Sequence, residues 1–408
     1  MLRSNIITGL DIGTNAMKIL VVQKSGQNLD FLAKAVIPSF GLRKGVVVNI
    51  EETSKNIQIL LSELQKTYDK KINSAFANIG GGHLYLTHSH GLISVSRADG
   101  KISQEDIERV LQAAQAVNLP SNQEILDVFP TEFIIDDQKN IREPLGLIGK
   151  RLEAKVLLLI SFSPYLKNLS QALFGVKIKI DGIISSPLAA ARSALTPQQK
   201  ELGVVLIDIG AATTSLAVFE EGDLIHFAVF PIGSANITND IAIGLRTEIE
   251  TAEKIKKQFG TCILGKTKRE EKHQGRKKIE ISDKSSPISF SHKILVDIIE
   301  ARVFEIFALV QKELRKISRQ ELLPAGAIIT GGGAKLPKIV EIAKKELKLP
   351  CRIGVPKGIT GLEEDPSLAT VAGLVLEGVE FGEGEAGVFS FAKGLGSRIK
   401  RIFRSFIP

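Results

Sequence analysis

One pattern occurs twice in this chain and restricts what it can fold into. Ile6-Ile7-Thr8-Gly9-Leu10-Asp11-Ile12-Gly13-Thr14-Asn15-Ala16-Met17-Lys18-Ile19-Leu20-Val21-Val22 reads as an apolar strand, a polar hinge and a second apolar strand. Leu202-Gly203-Val204-Val205-Leu206-Ile207-Asp208-Ile209-Gly210-Ala211-Ala212-Thr213-Thr214-Ser215-Leu216-Ala217-Val218-Phe219 repeats it. The spacing is too long for a solenoid and suits two copies of one domain. Asp11 projects from a strand end, Gly13 lets the backbone approach a ligand, Thr14 adds a hydroxyl and Lys18 a cation. An acid for hydrated Mg²⁺ beside amides, a hydroxyl and a lysine suits a β/γ-phosphate. A single ligand-free hairpin would carry the same residues. Two facing hairpins can clamp a triphosphate, with Asp11 and Asp208 sharing one metal.

The length of 408 residues allows two sizeable cores, and 44% hydrophobic with 24% charged residues is ordinary globular composition. No window has the apolar length to cross a bilayer. The chain enters a strand almost at once, which leaves no room for a signal peptide. Cys262 and Cys351 imply no disulfide framework and a reducing compartment. His83, His88 and His90 lack accompanying thiols or a second His pair and read as a solvated strand rather than a zinc site. The net charge of +8 allows nucleic acid or an anionic membrane as partner. The charge gathers in two places, Gly265–Lys284 and the C-terminus. The first run also holds Glu270, Glu271, Glu280 and Asp283 and no aromatic, so it reads as a solvated hairpin and not a nucleic-acid site.

Taken in order, the first hairpin is followed by a strand at Asn28–Ile37, a helix at Glu51–Tyr68 and a strand at Ile72–Ile79, the start of an RNase-H-like α/β domain. Residues 82–162 interrupt it as a small α+β insertion, with Ser103 capping a helix at Gln104–Val117 and strands at Ile125–Ile135 and Ala154–Ser161. Helix Leu166–Gly175, strand Val176–Ile184 and helix Pro187–Leu195 close the first domain, and Thr196–Glu201 reads as a linker. The second domain carries helices at Ala235–Gly244, Glu248–Gly260 and Lys293–Lys316. A strand at Gly326–Thr330 leads into Gly331-Gly332-Gly333, then come helices at Leu336–Leu347 and Ser367–Leu376. Three glycine-bearing strand ends thus follow one another, and the third can pass beneath a purine ring.

In these features the chain resembles the actin-like ATPase superfamily of actin, Hsp70 and sugar kinases. Within it the chain is similar to the FtsA family of bacterial cell division, along essentially its whole length. The resemblance rests on Gly9-Leu10-Asp11-Ile12-Gly13-Thr14, Ile207-Asp208-Ile209-Gly210, Ala252-Glu253-Lys254-Ile255-Lys256 and Thr330-Gly331-Gly332-Gly333. It rests most specifically on Val128-Phe129-Pro130-Thr131-Glu132-Phe133-Ile134-Ile135-Asp136 with Asn140-Ile141-Arg142-Glu143-Pro144-Leu145-Gly146-Leu147, in the insertion. It implies ATP and Mg²⁺ as ligands. Asp11 and Asp208 would organise Mg²⁺ through water, and Gly13, Thr14, Asn15, Lys18, Gly210, Ala211 and Thr213 would meet phosphate. Glu253 and Lys256 would face the ribose, and Gly331, Gly332 and Gly333 would flank adenine. Glu253 and Lys256 would look the same as a solvated helix pair. The implied subdomains are 1A (1–81 and 163–196), the inserted 1C (82–162), 2A (197–250 and 317–377) and 2B (251–316). A tether (378–393) and an amphipathic membrane helix (394–408) follow.

Two departures stand out. Ala211 and Ala212 replace glycines of the superfamily's second loop, and Ser215 replaces its second acid. Where hydrolytic relatives place an acid or amide to orient water, this chain has Ser185-Ser186-Pro187, so slow or negligible ATP turnover is expected. On a helical wheel Leu395, Ile399, Ile402, Phe403 and Phe406 share one face, with Arg398, Lys400, Arg401 and Arg404 opposite. That pattern suits a helix lying in an anionic lipid surface, each cation adding about 1 kcal/mol. The acidic, Gly-rich Glu377–Gly387 argues for reach. The resemblance implies FtsZ, self-assembly into protofilaments and other division proteins as partners, and a place on the cytoplasmic face of the membrane at the division site. A pilus-assembly scaffold of the PilM kind and a small-molecule kinase are the alternatives.

Overall fold

The computed structural model describes residues 6–264, 278–282 and 287–383. The first Asp-Ile-Gly stretch is an antiparallel hairpin of β1 (Ile6–Ile12) and β2 (Ala16–Ser25), extended by β3 (Asn28–Pro38). Short strands β4 (Leu42–Arg43) and β5 (Val46–Val47) lead to α1 (Ile50–Gln65). The Asn49 side chain caps α1 by accepting from the Glu52 N–H, and Ile57, Leu60 and Leu64 bury one face. Strand β6 (Ser74–Ile79) returns parallel to β1.

The insertion follows as β7 (Tyr85–Ser94), α2 (Gln104–Ala114), β8 (Gln123–Ile135), β9 (Gln138–Ile141) and β10 (Arg151–Phe162). Its sheet runs β7-β10-β8-β9 and has its own core, where Ile107, Val110 and Leu111 of α2 meet Val156 and Leu158. Ser103 and Asp106 form a reciprocal capping box at the start of α2. Helix α3 (Ser163–Gly175), β11 (Lys179–Ser185) and α4 (Ser186–Ala194) complete a five-stranded sheet in the order β11-β6-β1-β2-β3.

After α5 (Pro197–Leu202), the second copy runs β12 (Val204–Ile209), β13 (Thr214–Glu220), β14 (Asp223–Phe230), α6 (Ser234–Leu245) and α7 (Ile249–Phe259). The hairpin of β15 (Lys278–Ser282) and β16 (Pro287–Ser291) and helix α8 (His292–Lys316) follow. The chain then forms β17 (Ala327–Thr330), α9 (Ile339–Leu347), β18 (Cys351–Ile353) and α10 (Ala369–Glu383). Its sheet order, β14-β13-β12-β17-β18, is the first sheet's order read from the third strand inward. The sequence repeat is therefore a repeat of topology, and the two Asp-Ile-Gly hairpins hold equivalent places.

Several elements differ from the expectation. Thr196–Glu201 is not a linker: Thr196 and Gln199 cap one another and start α5. The helix expected at Leu336 starts at Ile339, because Gly332–Lys335 forms a 3-10 turn and Pro337 follows it. Helix α10 runs to Glu383, into the stretch read as tether, and most of its length packs on β1, β2 and α4 of the first domain. His83 precedes β7 and lies half-buried, edge-on to Tyr165 at 4.8 Å, and burial pushes its pKa down to about 4. His88 and His90 are exposed on β7. In the cationic hairpin, Ile279 and Phe290 are buried in the second core, so it is not fully solvated; residues 265–277 and 283–286 lie outside the described residues. The tail residues Leu395, Arg398, Ile399, Arg401, Ile402, Phe403, Arg404 and Phe406 also lie outside them.

Helices α4 and α10 cross between the two sheets. Ala190, Ala191 and Ala369 pack with Val204, Leu206 and Ile328 of the second domain, whereas Ala189 and Leu374 pack with Phe76 and Ile184 of the first. The crossing is close because Gly373 has no side chain: a Cβ there would lie 1.7 Å from the Ala189 carbonyl oxygen. In an exposed helix Gly→Ala stabilises by about 1 kcal/mol. Here the backbone of α4 blocks the methyl, so Gly373→Ala destabilises the chain by about 1–3 kcal/mol. Urea denaturation of the full chain measures this, and a raised midpoint would contradict the crossing.

Candidate functional site

Both hairpins point their polar hinges into one cleft of about 720 Å³ between the domains. Asp11, Gly13, Thr14, Asn15 and Lys18 line it from the first domain, and Asp208, Gly210, Ala211, Thr213, Glu253, Lys256, Gly331, Gly332 and Gly333 from the second. The structure thus brings together every cleft residue singled out in the sequence. Ser186, read in the sequence as standing where relatives orient water, lines the cleft too, and the structure adds Asn78, Ser234, Lys257, Lys335 and Thr370, which the sequence reading missed.

The first hairpin sets Lys18 directly opposite Asp11, and Lys18 Nζ lies 2.7 Å from Asp11 Oδ2. Asp11 Oδ1 accepts from Asn78 Nδ2 at 2.8 Å. Burial alone would lower the Lys18 pKa; Asp11 beside it, with Asp208 and Asp365, outweighs burial and raises it. The Thr14 hydroxyl accepts from the Gly45 N–H at 2.9 Å, which ties the β4–β5 turn to the hinge.

In the second hairpin Ser215 stands where Lys18 stands in the first. Asp208 therefore faces no cation on its own hairpin. Burial first, then the Asp11 charge, push its pKa up to about 6, against the pull of Lys18 and a hydrogen bond from Thr370. No residue from Gly210 to Thr213 has a positive φ, so Ala211 and Ala212 fit the loop without strain. The α6 amides of Ser234 and Ala235 donate to the Gly210 and Ala211 carbonyls at 2.9 and 2.8 Å. That docking brings Gly233 so near that a Cβ would lie 2.5 Å from the Ala211 oxygen.

The three glycines of the third loop do different work. Gly331, at φ 83°, sits where a Cβ would be 2.2 Å from Asp208 Oδ1, and a Cβ on Gly333 would strike Ile209. These two let the loop close onto the second hairpin. Gly332 alone faces open space. Glu253 and Lys256, one turn apart on α7, are bonded at 2.6 Å, and both bond Thr238 of α6. Burial would raise the Glu253 pKa, but Lys256 and Thr238 outweigh it and lower it. The pair lines the cleft while already satisfied within the protein.

The Asp208 shift has a stability consequence. Its carboxyl holds a proton more tightly folded, near pKa 6, than unfolded, near 3.8. The folded state therefore loses stability as pH rises from 3.8 through 6. Asp208→Asn removes that loss. In chain freed of small molecules it adds about 3 kcal/mol at neutral pH, shrinking toward zero as pH falls to about 4. Thermal melts across that range check this; a gain that ignores pH, or a loss at neutral pH, would contradict it.

A family model described as "Cell division protein FtsA" matches residues 205–373, and "SHS2 domain inserted in FTSA" matches residues 81–160. The Cell division protein FtsA of Pseudomonas aeruginosa is 40% identical over 92% of this chain and 89% of its own length. That of Bacillus subtilis is 35% identical over 92% and 84%, and that of Escherichia coli strain K12 is 31% identical over 98% of each. Among solved structures, the PilM-PilN type IV pilus biogenesis complex aligns with a TM-score of 0.67 at 18% identity, covering 91% of this chain and 98% of that one. MreB 5 of Spiroplasma citri bound to AMPPNP aligns at 0.55 and 15%, covering 90% and 94%. At such identities the structures speak for the fold alone, which is the actin-like ATPase fold of two RNase-H-like domains with an inserted α+β subdomain. At 31–40% identity over nearly its whole length, the chain belongs to the FtsA family of cell division proteins.

Proposed function

We propose that this chain binds ATP with Mg²⁺ in the cleft and acts as a polymerising adaptor that tethers FtsZ to the cytoplasmic membrane at the division site. The observation that carries the nucleotide reading is the convergence of both hairpins and the glycine loop on one cleft. The donor set fits the ligand. Asp11 and Asp208 supply two carboxylates from opposite walls, Lys18 supplies a cation, and the space beside Gly332 is free. Among the described residues no group of three or more His, Cys, Asp or Glu is placed to hold a metal ion, so a hard divalent cation here would keep several waters. When bound, Mg²⁺ would offset phosphate charge. Lys18 would then hold phosphate oxygens, Gly13 to Asn15 and Ala211 to Thr213 would offer backbone amides and hydroxyls, and Glu253 and Lys256 would face the ribose.

Turnover is slow on this reading. The cleft's carboxylates among the described residues are Asp11, Asp208 and Glu253, and none stands at the start of α4, where Ser186 lies. The Ser186 hydroxyl donates to the Ile79 carbonyl at 3.1 Å, so it can accept from a water but is no base.

Family membership and the cationic amphipathic tail support the adaptor part. In the region read as 2B and beside it, Ile243, Ile249, Ile294 and Phe304 are exposed apolar side chains available to a protein partner. Among the described residues no helix is long and apolar enough to cross a membrane. The tail would lie on the surface, and polymerisation would gather many tails for firmer attachment. The pilus-scaffold alternative rests on an 18%-identical structure, against relatives at 31–40% that bear the FtsA description.

Two measurements test these readings. Gly332→Leu points into open space, so it leaves the melting temperature within a few degrees while weakening Mg·ATP affinity at least about tenfold by calorimetry. Equal affinity in the variant, or no heat in the parent, overturns the nucleotide reading. Full-length chain co-sediments with phosphatidylglycerol-rich vesicles, and chain ending at residue 393 loses this by about tenfold or more. Undiminished binding by the shortened chain rules out the tail as anchor.

A further inference from the structure

The two jaw acids occupy equivalent places yet have different neighbours. The β1–β6 register, with Leu10 beside Ala77, puts Asn78 next to Asp11; in the second sheet Thr330 lies next to Asp208. The Thr330 hydroxyl turns away, donating toward the Gly354 and Pro366 carbonyls. Asn78 does the opposite. It is only 5% exposed, and both its amide nitrogen and its oxygen are bonded at the cleft floor. Its oxygen accepts from the Ile12 N–H at 2.6 Å, which fixes which end is oxygen. Its nitrogen donates to Asp11 Oδ1 at 2.8 Å and to Ser186 Oγ at 3.0 Å.

We propose that Asn78 is a positioning residue that fixes the plane of the Asp11 carboxylate for divalent-cation binding, an inference that rests on the nucleotide reading above. Lys18 holds Oδ2 and Asn78 holds Oδ1, so the carboxylate cannot rotate about its own bond. Each oxygen keeps a further lone pair, and that remaining capacity is offered to the cleft. Asn78 is itself locked at both ends. Ile12 N–H lies one residue past Asp11 on the same strand, so carboxylate and brace move as one body. Ser186, bonded to the Ile79 carbonyl, anchors the brace to the start of α4. The contrast with Thr330 shows that the fold alone does not require such a brace. A partner of this kind, one bond behind a group that meets a metal, governs metal affinity more than ligand binding at large.

The test separates these effects. Asn78→Thr installs the residue type of the second sheet, and Asn78→Ala removes the amide. For parent and variants, one measures ATP affinity in EDTA, the Mg²⁺ concentration giving half of the metal-dependent gain, and the melting temperature without nucleotide. In both variants the Mg²⁺ half-point rises about tenfold while ATP affinity in EDTA stays within about twofold. An unchanged half-point in folded Asn78→Thr overturns the proposal. So does an equal loss of affinity with and without Mg²⁺, which marks a merely structural role. A parent that binds no ATP at all defeats the nucleotide reading and this proposal with it.

Discussion

Everything at the cleft depends on how closely α4 and α10 cross. Gly373 over Ala189 brings the helices nearer than a methyl allows, and the Ser193 hydroxyl ties α4 to the Ala369 carbonyl at 2.6 Å. A second close approach, Gly9 against the Val371 carbonyl, seats α10 directly on β1. The pair buries small apolar side chains against both sheets, so it belongs to both cores at once. Interiors at packing density transmit displacement rather than absorb it. The crossing therefore fixes the separation of the strand ends that carry Asp11 and Asp208. Thr370, in the first turn of α10, reaches Asp208 itself. One small-residue contact thus sets the frame and touches the chemistry.

On that frame a duplicated fold carries unequal chemistry. The first hairpin pairs its acid with Lys18 across the strand and Asn78 beside it; the second offers Ser215 and Thr330 at the same places. Both acids face the same cleft, so the field of each acts on the other. Asp11 has its own cation in Lys18, whereas Asp208 lies buried beside the Asp11 charge with no cation on its own hairpin. Burial first, and then the Asp11 charge, push the Asp208 pKa up to about 6. A divalent cation would relieve that cost most at Asp208, whereas Asp11 is already compensated.

The parts legible in the sequence were those whose signals are local. Each Asp-Ile-Gly hairpin is written in a few consecutive residues, and the Gly331–Gly333 loop likewise, so fold and cleft followed from three short stretches. Asn78 and Thr370 were not legible, because each ends an apolar segment or starts a helix and acquires meaning only from a strand far off in the chain. Thr196–Glu201 looked like a linker because Pro and Gln outweighed a capping box that needs only Thr196 and Gln199. Gly378 was read as the first residue of a tether. Instead α10 continues past it, and the missing side chain lets the helix lie close, since a Cβ there would strike Ile7 and Phe76 at 2.6 Å. That glycine serves packing, which no local propensity reveals.

The insertion is also less separate than its own core suggests. Leu86 and Phe129, from β7 and β8, pack against the core clusters of both domains. Phe227 and Val229 of β14, on the second domain, join the first domain's cluster at the same junction. Arg142, within the most family-specific stretch of the insertion, donates to the Glu221 carboxylate and carbonyl at the β13–β14 turn. That ion pair is exposed, and such pairs are worth at most about 1 kcal/mol. The apolar contact must carry the attachment, while the ion pair sets its register. Because β14 is paired to β13, and β13 to the strand bearing Asp208, a tilt of the insertion acts on an element two strands from the cleft. A displacement there is opposed by the same close-packed helices that hold the two acids in place, so the insertion and the cleft answer to one mechanical constraint.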